Sequence, residues 1–64
     1  MSETLWDTKD VSKYLNVKEG TIRYWVHIHA IRHYKLGALV RYIPEEITKD
    51  FHDGNIGKPG FFKG

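Results

Sequence analysis

The stretch from Asp10 to Val26 constrains the fold more than any other part of this chain. It holds two apolar triplets, each with the i, i+3, i+4 spacing that gives a helix one buried face. The triplets are Val11/Tyr14/Leu15 and Ile22/Trp25/Val26. The segment between them, residues 15–18, has room only for a tight turn. Two short helices joined by such a turn form a helix-turn-helix motif.

Residues that start and stop helices flank both triplets. Asp7 is a good N-cap and Asp10 stands where its carboxylate can reach back to the cap, which predicts a first helix over residues 8–15. Asn16 tolerates the left-handed conformation that ends many helices, and Val17 is expected to fill the angle of the turn. The second helix is predicted to begin at residue 18 or 19 and to end at about residue 27, with Glu19 complementing its dipole.

The second half of the chain predicts a β-hairpin and a third helix. Residues 30–43 alternate and are rich in β-formers, with Gly37 at the expected turn. Pro44 pre-sets the first turn of a helix, Ile47 and Phe51 give it an apolar face, and Gly54 is expected to stop it. The predicted fold is α+β, mostly helical: a compact winged helix-turn-helix with a two-stranded wing and a third helix. Residues 1–54 form the predicted domain, and the glycine-rich residues 55–64 form a flexible tail.

Composition excludes several classes of function. A chain of 64 residues is too small for a typical catalytic cleft, and neither a nucleophile paired with a base nor a phosphate-binding glycine loop is apparent, so we expect no enzyme. Without cysteine there is neither a disulfide framework nor a thiolate zinc site. The three central histidines lack a supporting carboxylate, so we predict no metal, no cofactor and no small-molecule substrate. No apolar run approaches 18 residues and no signal segment is present, which predicts a cytoplasmic protein without a membrane partner.

Charge is unevenly distributed along the chain. Residues 20–44 contain four arginine and lysine residues, three of the four histidines and no acidic residue, whereas both flanking segments have a small excess of acid. A basic middle between acidic ends indicates one face suited to a polyanion, although a solvated charge cluster is the simpler alternative.

The order of elements resembles a known family. The resemblance covers about residues 4–52 and rests on the capped first helix, the turn, and four segments: Thr21–Trp25, Lys35–Gly37, Leu39–Tyr42 and Pro44–Ile47. In these features the chain resembles the excisionase-type and MerR-like small winged helix-turn-helix DNA-binding domains of phages and mobile elements. It departs from them at Lys18, where a serine or threonine cap is usual, and at Gly20, where a basic or polar residue is common.

The resemblance implies sequence-specific binding of double-stranded DNA. The expected role is an excisionase-like recombination directionality factor that binds and bends attachment-site DNA. An integrase or recombinase, or neighbouring copies of the chain on the DNA, are its expected protein partners. Two alternatives stay open: a small phage or prophage transcriptional regulator, and a protein-interaction module of the terminase or antitoxin type.

With the second triplet facing inward, the opposite side of the second helix is available to a major groove. The candidate DNA-binding residues of this recognition helix are Lys18, Gly20, Thr21, Arg23, Tyr24 and His27. Those of the wing are Arg32, Lys35 and Arg41. Simpler interpretations exist for several: Tyr24 covering the edge of the core, Arg23 pairing only with Glu19, and the wing cations serving only to solvate the hairpin.

Overall fold

The computed structural model describes residues 4–62 and contains three helices and a two-stranded sheet. The elements follow the order α1 (Thr8–Leu15), α2 (Glu19–His27), β1 (Tyr34–Leu36), β2 (Leu39–Arg41) and α3 (Pro44–Asp53). This confirms the predicted α+β winged helix-turn-helix. No helix among these residues is long and apolar enough to cross a membrane.

Local capping sets the bounds of α1. The Asp7 side chain accepts a hydrogen bond of 2.8 Å from the backbone N–H of Asp10, and the Asp10 carboxylate accepts one of 3.2 Å from the N–H of Asp7. This reciprocal pair satisfies two N–H groups at the helix start. At the other end Asn16 adopts φ 59° and ψ 45°, the left-handed conformation expected for it.

The second helix ends in a way that the sequence did not indicate. The N–H of His29 donates to the carbonyl of Val26 at 3.2 Å, and the N–H of Ala30 donates to the carbonyl of Trp25 at 2.7 Å. This pair of bonds is a Schellman motif, which requires a left-handed residue after the helix. Here that residue is His29, with φ 57°.

The wing is an antiparallel hairpin with Gly37 in its turn, as predicted. Its register pairs Tyr34 with Arg41 and Leu36 with Leu39, and Gly37 adopts φ 66°. Beyond the hairpin, Trp6 and Tyr42 exchange two backbone hydrogen bonds of 2.8 Å. The N-terminal lead-in is therefore tied to the base of the wing.

The core joins the helices to the hairpin. Its fully buried side chains are Val11, Ile22, Ile31, Tyr42 and Ile47. Tyr42 comes from the end of the wing, and its hydroxyl shares a hydrogen bond of 3.1 Å with that of Thr8. Burial of the ring raises the pKa of Tyr42 above its ordinary value.

Two aromatic residues are more exposed than helical periodicity predicted. Tyr14 and Phe51, expected on buried faces, are 45% and 55% exposed. The ring of Tyr14 packs instead between Trp6 and Phe51, at centroid distances of 5.3 and 5.9 Å. Short helices of one or two buried turns leave these large rings at the rim of the core, where they meet edge to face.

Residues 55–62 contain no helix or strand, yet they lie along the domain. The N–H groups of Gly57, Gly60 and Phe62 each donate a hydrogen bond of 2.9 Å, to the carbonyls of Ala30, Ile28 and His29 respectively. Ile56 packs against the core. The flexibility of the tail and the domain boundary at residue 54 stay predictions; residues 1–3 of that domain and 63–64 of that tail lie outside the described residues.

Candidate nucleic-acid interface

The outer side of α2 is exposed as helical geometry predicts. Ile22 is fully buried and Trp25 is half-buried, whereas Tyr24 on the opposite side is 59% exposed. Lys18, Gly20, Arg23 and His27 are exposed as well, and Thr21 is half-buried. The exposure of Tyr24 argues against the alternative in which its ring covers the edge of the core.

Arg23 pairs with Glu19, as its simpler interpretation requires. Their side chains approach to 3.2 Å one helical turn apart, and they are 67% and 42% exposed. Exposed pairs of this kind contribute only about 0.3–0.5 kcal/mol. A phosphate or a base edge can therefore replace Glu19 as the partner of the guanidinium at little energetic cost.

An open cavity of about 530 Å³ separates α2 from the wing. Three of the predicted residues, Arg23, His27 and Lys35, line it. The other residues that line it are Val26, His29, His33 and Val40. Each charged or titratable side chain in this set is a lysine, an arginine or a histidine, so no carboxylate in the lining opposes the approach of an anion. We call this surface the basic cleft.

A second cavity, of about 380 Å³, shares Arg23, Val26 and Val40 with the basic cleft and has mixed charge. Arg23 and Arg41 line it together with Asp7 and Glu19. The backbone N–H of Asp10 is the main reason why the pKa of Asp7 is below its ordinary value, and the positive charge of Arg41 contributes. Arg41 also donates a hydrogen bond of 2.8 Å to the carbonyl of Val40. Arg41 and Lys35, two of the three predicted wing contacts, thus line different cavities.

Arg32 lies in a different environment from the other predicted DNA contacts. Its Nε donates to Oδ2 of Asp50 at 3.1 Å, and Glu46 lies 3.9 Å away. The guanidinium also sits 5.3 Å from the ring centres of both Phe61 and Phe62. The hydrogen bond to Asp50 raises the pKa of Arg32 above its ordinary value. A DNA contact by Arg32 stays a prediction, but these contacts engage its side chain in holding α3 and the tail together.

A hydrogen bond from the hairpin extends this cluster. The Tyr34 hydroxyl donates to Oε1 of Glu46 at 2.7 Å, which raises the pKa of Tyr34. The Tyr34 ring also packs against Phe62, at a centroid distance of 5.8 Å. Tyr34 thus attaches β1 to α3 and to the tail, at the end of the strand that is far from the hairpin turn.

Sequence reasoning named His27 as a DNA contact, but it considered His29 and His33 individually only as metal ligands and missed their place in the basic cleft. His33 is 7% exposed, with Nδ1 2.9 Å from the carbonyl of Ile31, while His29 is exposed. Their ring centres are 6.1 Å apart. Within residues 4–62 no group of three or more His, Cys, Asp or Glu side chains is placed to hold a metal ion. One feature of the sequence could have drawn attention to His29. Neither glycine nor asparagine follows α2 directly, so a residue of another type must adopt the left-handed conformation that ends the helix.

Comparison with known proteins gives one match. A family model described as a helix-turn-helix domain matches residues 7–49, which is more than half of the chain. That span begins at the cap of α1 and includes α2, the wing and the first half of α3. No significant match is found among curated proteins or among solved structures.

Proposed function

Because the chain belongs to the helix-turn-helix domain family, whose members are small DNA-binding domains, we propose that it binds double-stranded DNA sequence-specifically. In this proposal α2 enters the major groove and the wing lies against the adjoining backbone. The protein acts by binding, with no catalysis of its own.

The observation that carries this proposal is the position of the basic cleft beside the outer face of α2. A helix inserted in a groove is flanked by two phosphate backbones, so cationic groups beside the helix increase affinity for any sequence. Arg23, His27 and Lys35 occupy such a position, and no acidic side chain lines the cleft. In this proposal the exposed Tyr24 ring is a candidate base contact, and the Arg23 guanidinium can reach either a phosphate or a base edge.

For the biological role we propose an excisionase-type recombination directionality factor, on the basis of the resemblance in residues 4–52. Such a protein binds attachment-site DNA, bends it and works with an integrase or with neighbouring copies of itself. A small transcriptional regulator would use the same surface. A bending assay on permuted DNA fragments, followed by excision assays with a candidate integrase, separates the two roles.

The DNA-binding proposal is tested by titrating labelled duplex DNA and measuring fluorescence anisotropy at several salt concentrations. Neutralising about four to six phosphates predicts a slope near −4 to −5 in a plot of log affinity against log salt. Absence of binding at low salt, or a flat slope, would overturn the proposal.

Variants of α2 and of the wing then show which residues contact DNA. Arg23→Ala and Tyr24→Ala should each weaken binding to a selected site by about 1–3 kcal/mol without unfolding the protein. Arg41→Ala should weaken binding to cognate DNA and to random DNA equally, and it should reduce the salt slope by about one. Lys49→Ala is the matched control, because Lys49 is exposed on α3 and pairs only at the surface with Asp53. A variant of Arg23 or Tyr24 that binds like the control would remove that residue from the interface.

A further inference from the structure

His29 adopts a backbone conformation that is unfavourable for a histidine. Its φ of 57° is in the left-handed region, which non-glycine residues adopt with strain. Glycine would make the same two Schellman hydrogen bonds without this strain. The side chain is exposed, so burial of the ring in the core does not compensate. An unfavourable conformation combined with an exposed polar ring is typical of functional positions.

The surroundings of the ring favour an anion. His29 lines the basic cleft and also the adjoining cavity of about 490 Å³, whose other lining residues are His33, Tyr34, Lys35, Leu36 and Phe62. Neither cavity is lined by an acidic side chain. The groups that face His29 from the wing and from the segment before it are thus a cation, a second imidazole and a phenol.

The end of α2 would ordinarily repel a phosphate, because carbonyl oxygens at a helix C-terminus carry partial negative charge. In this protein four of the carbonyls at and just after this helix end have hydrogen-bond donors. The Schellman motif satisfies Trp25 and Val26, and the N–H groups of Gly60 and Phe62 donate to the carbonyls of Ile28 and His29. Residues 55–62 therefore mask the carbonyls of Ile28 and His29, which leaves Lys35 and the imidazoles to determine what binds there.

We propose that His29 is a DNA-binding residue whose imidazole N–H donates a hydrogen bond to a backbone phosphate between the recognition helix and the wing. The inference rests on the proposed function and adds to it a contact from the turn after α2. An imidazole has an N–H donor in either protonation state, so the contact does not require a charged ring. Lys35, across the cleft, supplies the positive charge.

The test compares His29→Gly, His29→Asn and wild type in the full chain, with a labelled random-sequence DNA duplex as the probe. Glycine relieves the backbone strain and removes the ring, whereas asparagine tolerates the same φ and keeps an N–H donor. We expect His29→Gly to unfold at the same temperature as wild type or higher, yet to bind about five- to tenfold more weakly. His29→Asn should lie between the two in affinity. His52→Ala, on the last turn of α3, serves as the matched histidine control.

The outcomes distinguish this inference from the proposed function. If wild type does not bind duplex DNA, both fail. If Arg23→Ala weakens binding while His29→Gly binds like wild type, the proposed function stands and the His29 contact is wrong. If His29→Gly instead unfolds at a clearly lower temperature and loses affinity only to the extent that it is unfolded, His29 serves the fold alone and the inference is overturned.

Discussion

Replacing Arg32 by alanine tests whether this residue belongs to the fold or to the DNA interface. Asp50 is 3% exposed, and its Oδ2 accepts a hydrogen bond of 3.1 Å from Arg32 Nε. The substitution leaves this carboxylate buried without its guanidinium partner. It also removes the cation that lies 5.3 Å from the ring centres of Phe61 and Phe62.

The expected loss of stability follows from removing one partner of an ion pair while the other partner stays buried. Removing one partner of a fully buried ion pair costs about 3–5 kcal/mol. Arg32 is 33% exposed, so water screens part of the interaction, and we expect about 2–3 kcal/mol for Arg32→Ala. A domain of this size has a total stability of about 3–10 kcal/mol. The melting temperature should therefore fall by about 10–20 °C.

Thermal unfolding followed by far-UV circular dichroism measures this change, and urea unfolding gives the free energy independently. Lys49→Ala is the control, because its pair with Asp53 is 76% and 42% exposed and should contribute less than about 0.5 kcal/mol. Arg32→Lys should fall between the two, since an ammonium keeps the charge but not the planar contact with the rings. Wild-type stability in Arg32→Ala together with weaker DNA binding would refute the structural role and place Arg32 in the interface.

Three further predictions concern the tail, α2 and the cap of α1. Truncation after Gly54 removes Ile56 from the core and four backbone hydrogen bonds between the tail and residues 1–54, so unfolding experiments should show a loss of about 2–3 kcal/mol; unchanged stability would show that the tail is free. Gly20→Ala should stabilise α2 by up to about 1 kcal/mol, because a Cβ there meets nothing within 4 Å; unchanged DNA affinity in that variant would remove residue 20 from the interface. The folded-state pKa of Asp7 lies below its ordinary 3.8, so its stabilising effect is present above that pH and is lost as the pH falls through the lowered value. Asp7→Asn should therefore reduce the fall of the urea midpoint as the pH decreases below 3.8, and an unaltered pH profile would contradict this reading of the cap.

The bounds of α1 and α3 and the hairpin turn could be predicted because their signals are local, whereas the left-handed residue that ends α2 could not. The carboxylates of Asp7 and Asp10 act within one helical turn, and Gly37 and Gly54 adopt positive φ where a turn or a helix end needs it. Helical spacing also assigned the outward side of α2 correctly, because Ile22 is held in the core. Its assignment was wrong for Tyr14 and Phe51, since spacing does not indicate how far the core extends along a short helix.

The sequence by itself determined the order of elements, the ends of α1 and α3, and a basic central segment free of acid, since each of these depends on residues close together in the chain. Only the tertiary structure decided which basic side chains are paired within the fold and which line the basic cleft. Arg32 and Asp50 are 18 positions apart and meet because the hairpin and α3 pack on the same core. The same packing places residues 55–62 against the turn after α2 and leaves His29, rather than Arg32, at the basic cleft. Contacts between distant segments depend on how the elements pack in three dimensions, and no local pattern in the sequence encodes that packing.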